Sequence, residues 1–226
     1  MTATYAHGVI DLETIGNKSV APIVQIGIAL PNPNGGERIF NAKIHYPGND
    51  YLGLTPDQST MNWWEKQPEE TFMKVFGSHI DGVQPMLLND ALVYMLEFFQ
   101  NYKKRYGIEI IYLWSHATFD PPILYNSLEK VNLDDKFRNL VHYREMRDFR
   151  TSDWILGDAV KGEIYAIVDR KAKDLHLTHH YAPDDALYEL MVLDQQLKAL
   201  RYFFDDDLDK SHLHLYGELK LAPEKS

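Results

Sequence analysis

Apolar and polar positions alternate in short runs near the start of the chain and recur at helical spacing later. Val9 to Thr14 (VIDLET) reads as the end of a buried strand, Ile23 to Leu30 as a second strand rich in β-branched residues, and Arg38 to Ile44 as a third. Gly27 interrupts the second strand, which marks a close backbone approach. Pro31-Asn32-Pro33-Asn34-Gly35-Gly36 is a strong turn signal, so the three strands form an antiparallel meander. Short helices are expected at Met61 to Lys66 and Glu70 to Phe76. A long one is expected from Asn89 to Tyr106, with Leu92, Met95, Leu96 and Phe99 on one stripe. Glu109 to Trp114 is apolar throughout its centre, as a buried fourth strand requires.

Phe119 to Val131 reads as a helix that tolerates Pro121 and Pro122 in its first turn. A short strand is expected within Tyr143 to Arg150 and a helix over Thr151 to Asp158. Gly162 to Thr178 shows no clear period. Pro183 to Phe204 is a second long helix, with an apolar face of Leu187, Leu190, Met191, Leu193 and Leu197. The reading is one α/β domain over residues 1–226, with an acidic C-terminal tail from about residue 205.

Composition adds three constraints. No stretch approaches the roughly 20 apolar residues of a membrane span, and the N-terminus lacks a secretory layout, so a cytoplasmic location is expected. The 226 residues include no cysteine, which leaves oxygen and imidazole as metal donors. The net charge of −10, from 23 basic and 33 acidic residues, argues against coating long nucleic acid. It leaves room for an enzyme that grips one strand end, where cations offset local negative charge.

Side chains alternate along a strand, so Asp11 and Glu13 share one face while Ile10 and Leu12 take the other. Two adjacent acids repel and lose hydration, and a divalent cation supplies the missing reason for them. Two further acids stand at element ends: Asp120 after the fourth strand and Asp185 in the first turn of the last helix. Sites in open α/β sheets form at the carboxyl ends of strands. Taken singly, each has a plain structural reading: Asp120 and Asp185 as helix caps or dipole partners, the strand pair as a solvated edge. Their combination in order, with His180 shortly before the last, is what points to chemistry.

That combination resembles the DEDDh family of 3′–5′ exonucleases. The family's Asp-x-Glu is matched by Asp11 and Glu13, its Phe-Asp beyond the fourth strand by Phe119 and Asp120, and its His-x4-Asp by His180 and Asp185. Thr60-Met61-Asn62-Trp63-Trp64 with Gln67, and Arg147 to Thr151, look like segments of the bacteriophage exonuclease A group and related bacterial exoribonucleases. The resemblance implies a ribonuclease H-like mixed sheet, three antiparallel strands plus parallel strands, flanked by helices.

It also implies a chemistry. Two Mg²⁺ or Mn²⁺ ions roughly 4 Å apart would stabilise the attacking and leaving oxygens of a phosphodiester. Asp11 would bridge them, Glu13 and Asp185 would hold the ion carrying the nucleophilic water, and Asp120 would support the other. His180 would take the water's proton, and an unperturbed pKa of about 6.5 suits that task. Since the helix begins only after it, His180 is expected on a mobile loop. The expected partner is the 3′ end of single-stranded nucleic acid, with the phage-like segments favouring DNA over RNA. Candidate substrate contacts are Thr14, Trp63, Trp64, Gln67, Phe119 and Arg150. Trp63 and Trp64 are adjacent on a helix and cannot share a face, so one belongs to the core and the other is free to stack on a base. Two other classes stay open: a ribonuclease H-like binding module without catalysis, and a metallohydrolase built on His176, His179 and His180.

Overall fold

The computed structural model describes residues 4–46, 52–77 and 81–204; the acidic tail expected from about residue 205 lies outside them. Five strands form one sheet in the order β3-β2-β1-β4-β5. β1 (Tyr5–Thr14), β2 (Ile23–Pro31) and β3 (Glu37–Lys43) pair antiparallel, while β4 (Ile110–Ser115) and β5 (Met146–Asp148) run parallel to β1. This is the mixed ribonuclease H-like sheet that the resemblance implies, meander first and parallel strands after.

The strand register separates two faces. Ile10 pairs with Ile28 and Leu12 with Ile26, and these residues pack into the larger core with Leu92, Met95 and Phe99 of α3 (Leu88–Tyr106). α4 (Asp120–Lys130) and α5 (Asp134–Leu140) contribute Leu124 and Phe137 to the same layer. On the other face Val9, Ala29 and Trp114 meet Phe149 of α6 (Phe149–Asp174) and Ala186, Leu190 and Leu193 of α7 (Ala182–Phe204). Asp11 and Glu13 lie on this second face by strand alternation, under the start of α7.

Two departures from the sequence pattern have physical causes. α6 spans 26 residues but joins two helices at Gly157: the first lies close to the expected Thr151–Asp158 helix, and the second takes in the unassigned stretch after Gly162. Gly157, at φ 73°, kinks it, a backbone state glycine reaches without steric cost. Beyond the kink Ile164 and Val168 are its buried residues, too few to write a clear period into the sequence. α5 buries Phe137 alone, and seven residues cannot display a helical repeat. α1 (Gln58–Trp64) and α2 (Glu69–Phe76) stand close to their expected places.

Candidate active site

Three elements deliver the acids. β1 brings Asp11 and Glu13 to its carboxyl end. β4 ends at Ser115, and the turn after it puts Asp120 at the head of α4, where its Oδ2 accepts the His116 amide at 2.9 Å. α7 begins at Ala182, and Asp185 in its first turn accepts the His180 amide on Oδ2 at 2.8 Å. The N-cap reading fails for Asp120, since Phe119 is the N-cap of α4 and no side chain caps that helix; Asp120 and Asp185 instead each accept an amide of the segment before their helix. Both also line one cavity of about 820 Å³ with Asp11, Glu13 and His180.

One carboxylate oxygen each from Asp11, Glu13 and Asp185 lie within 4.8 Å of one another. Burial raises the Asp11 carboxyl far above the ordinary range, and the charges of Glu13, Asp120, Glu189 and Asp185 raise it further. Burial, then Asp185 and Asp120, pushes Glu13 up to about 8. Asp120 rises to about 7, again through burial and then Glu189, against the pull of its backbone hydrogen bonds. Asp11 Oδ2 is buried without a hydrogen-bond partner. A buried carboxylate with one orphaned oxygen, crowded by two further acids, is unstable as a bare anion and suited to a hard cation with oxygen ligands. The donor set thus fits a hard divalent cation.

His180 sits on the loop between α6 and α7 in the left-handed region, at φ 61°. Its ring stacks on His179 at 3.8 Å between centroids and meets the edge of Trp63 at 4.8 Å. Burial and the neighbouring His179 lower its pKa, so it is neutral near pH 7. His179, whose Nδ1 lies 3.2 Å from Asp185 Oδ1, is shifted up by that contact. Two hydrogen bonds shape the loop: Asp184 accepts the Thr178 amide and Asp185 the His180 amide.

Trp64 is 2% exposed and donates from Nε1 to the Thr14 carbonyl at 2.9 Å, whereas Trp63 is 39% exposed and borders the cavity. One ring is buried and the other exposed, and both line the cavity. Thr14 and Phe119 also line the cavity, Thr14 with its hydroxyl turned onto the Gly16 carbonyl. Gln67 and Arg150 are not among the lining residues. Gln67, just past α1, donates to the Trp63 carbonyl, and Arg150 donates to Thr118 Oγ1. His176 is absent from both groups of neighbouring metal donors among the described residues, Asp11–Glu13–Asp185 and His179–His180–Asp185.

Sequence reasoning missed Glu189 and His116. Glu189 stands one helical turn beyond Asp185 on the same side of α7, a spacing that could have revealed it. Its Oε1 lies 3.0 Å from His116 Nε2, while its Oε2 is buried and unpartnered. The cavity therefore gathers six carboxylates: Asp11, Glu13, Asp120, Asp185, Glu189 and Asp169.

Sheet order and acid placement together define a ribonuclease H-like domain with a carboxylate centre. The chain belongs to the Rv2179c-like 3′–5′ exoribonuclease domain family, whose model matches residues 6–197. Among solved structures, cell-death related nuclease 4 (CRN-4) is similar at 16% identity and a TM-score of 0.44, over 86% of this chain and 64% of that one. E. coli Exonuclease I in complex with a 5cy-dA13 oligonucleotide is similar at 11% identity and a TM-score of 0.44, over 88% and 42%. The chain thus spans less than two thirds of the length of either. No curated protein sequence matches it.

Proposed function

We propose that the chain is a metal-dependent 3′–5′ exonuclease that removes nucleoside 5′-monophosphates from the 3′ end of single-stranded RNA. The observation that carries this reading is the grouping of Asp11, Glu13 and Asp185 carboxylate oxygens within 4.8 Å of one another, with Asp11 Oδ2 buried and unpartnered, in a chain of this family. Asp11, Glu13 and Asp185 would hold the cations, with Asp120 and Glu189 beside them. Bound Mg²⁺ or Mn²⁺ supplies charge neutralisation at the phosphate and eases loss of a proton from water.

The chain's own residues account for the rest. Neutral His180 accepts the proton of the attacking water, whose oxygen bonds to the terminal phosphorus. The P–O3′ bond breaks, its electron pair stays on the 3′ oxygen, and that oxygen takes a proton from solvent. Asp185 holds the His180 backbone in place for this, and the Trp63 edge limits the swing of the ring. The exposed part of Trp63 offers the departing base a stacking surface.

The family description favours RNA, whereas the phage-like segments around Trp63 and Arg147 favour DNA, and we place RNA first. The test is incubation with 5′-labelled single-stranded RNA and DNA of equal sequence, with Mg²⁺, Mn²⁺ or chelator. A metal-dependent ladder shortening from the 3′ end, faster on RNA, is expected. Faster shortening of DNA would reverse the polymer, and no cleavage of either by folded protein would leave a binding module.

A further inference from the structure

The loop bearing His180 is held from behind by a chain of buried polar groups that plays no part in the chemistry above. On the sheet face that carries the acids, Glu13 pairs with Gln25 across β1 and β2, and Gln25 with Lys43 across β2 and β3. Gln25 and Lys43 have no exposed surface. Gln25 Nε2 donates to Asn41 Oδ1 at 2.9 Å, and its Oε1 accepts the Ala182 amide at 3.2 Å. Asn41 Nδ2 donates to the Tyr181 hydroxyl at 2.7 Å, and that hydroxyl donates to Asp81 Oδ2. Lys43 Nζ closes the chain, donating to Asp81 Oδ1 at 2.7 Å and to the Gly77 carbonyl at 2.9 Å.

Nothing in the fold's stability asks for this. A buried ammonium loses its hydration, and an apolar side chain of equal volume commonly serves the core as well or better. What such a network does supply is a defined position. His180 occupies a left-handed backbone state that a residue with a side chain adopts at a cost, and such states persist only where the surroundings over-determine them. Asp185 holds His180 from one side. Tyr181 and Ala182 are held from the other by Asp81, Asn41 and Gln25.

We propose that Lys43, Asp81 and Tyr181 form a positioning relay that sets where the His180 ring stands relative to the carboxylates. The proposal rests on the reading of His180 as the general base. Tyr181→Phe removes only the hydroxyl at the centre of the relay. It should lower kcat about tenfold at unchanged KM and add nothing in a His180→Ala background, because groups acting as one unit are not additive. An unchanged kcat, or a loss that multiplies in the His180→Ala background, overturns the relay.

A second arm needs no activity. The double variant Lys43→Met/Asp81→Asn removes both charges together, which buried pairs tolerate better than removal of one. Its His180 ring resonance, marked by the ring current of Trp63, should move. A resonance in its wild-type place overturns the relay. A moved resonance with wild-type turnover upholds the relay's hold on His180 while overturning the role of His180 as base.

Discussion

The amide of His180 donates to the carboxylate of Asp185 at 2.8 Å, which ties the candidate base to a candidate cation ligand through the backbone. One acid thereby sets both charge and geometry. The two residues are separable by substitution, because the bond runs through the main chain of His180 and survives loss of its ring.

His180→Ala should keep cation binding and lose about 10²- to 10⁴-fold in turnover, the usual contribution of a positioned acid or base. Asp185→Ala should lose cation binding as well. Calorimetric titration with Mn²⁺ beside a steady-state assay separates the two, and wild-type turnover in His180→Ala would remove its assigned role.

Stability of the cation-free protein should fall as pH rises from about 4 to 8. Glu13 at about 8 and Asp120 at about 7 hold their protons more tightly folded than unfolded. Their contribution is therefore complete below the ordinary carboxylate range and lost on passing through the raised values. Thermal melts in chelator should show the decline, and Mn²⁺ should raise Tm more at pH 8 than at pH 5. Glu189→Gln, which takes one charge from the cluster, should flatten it.

Gly27→Ala should destabilise the fold. An added Cβ would lie 2.1 Å from the Ala182 carbonyl carbon and oxygen and 2.4 Å from Pro183 N. Backbone cannot give way as a side-chain tip can, so a loss of about 1–3 kcal/mol is expected. Urea denaturation measures it directly.

Trp63→Ala should raise KM by about 5- to 100-fold with little change in melting temperature, since base stacking on an aromatic contributes about 1–3 kcal/mol. Trp64→Ala should do the reverse and unfold the chain at lower urea, because that ring fills a core with Ile15, Val24 and Val75.

Much of this was legible in the linear pattern. Asp11 and Glu13 could be placed on one face because strand alternation is a local rule, and Gly27 marked a close approach that proves to be Ala182 and Pro183. Resemblance, rather than periodicity, joined them to Asp120, His180 and Asp185. That Gln67 and Arg150 stay off the cavity lining, bonded to the Trp63 carbonyl and the Thr118 hydroxyl, depends on how turns lie in space and is not written in the linear pattern. Nothing in the linear pattern singles out Lys43. Only the closure of Asp81 over it, 38 positions away, explains a buried cation there.

The crowded acids carry a consequence for the heat of ion loading. With Asp11, Glu13 and Asp120 all drawn toward the protonated form by burial, a divalent cation entering the cavity should displace hydrogen ions. Loading is then an exchange of one positive species for another. Its measured enthalpy should differ between phosphate-free buffers of high and low ionisation heat, and the difference counts the protons released.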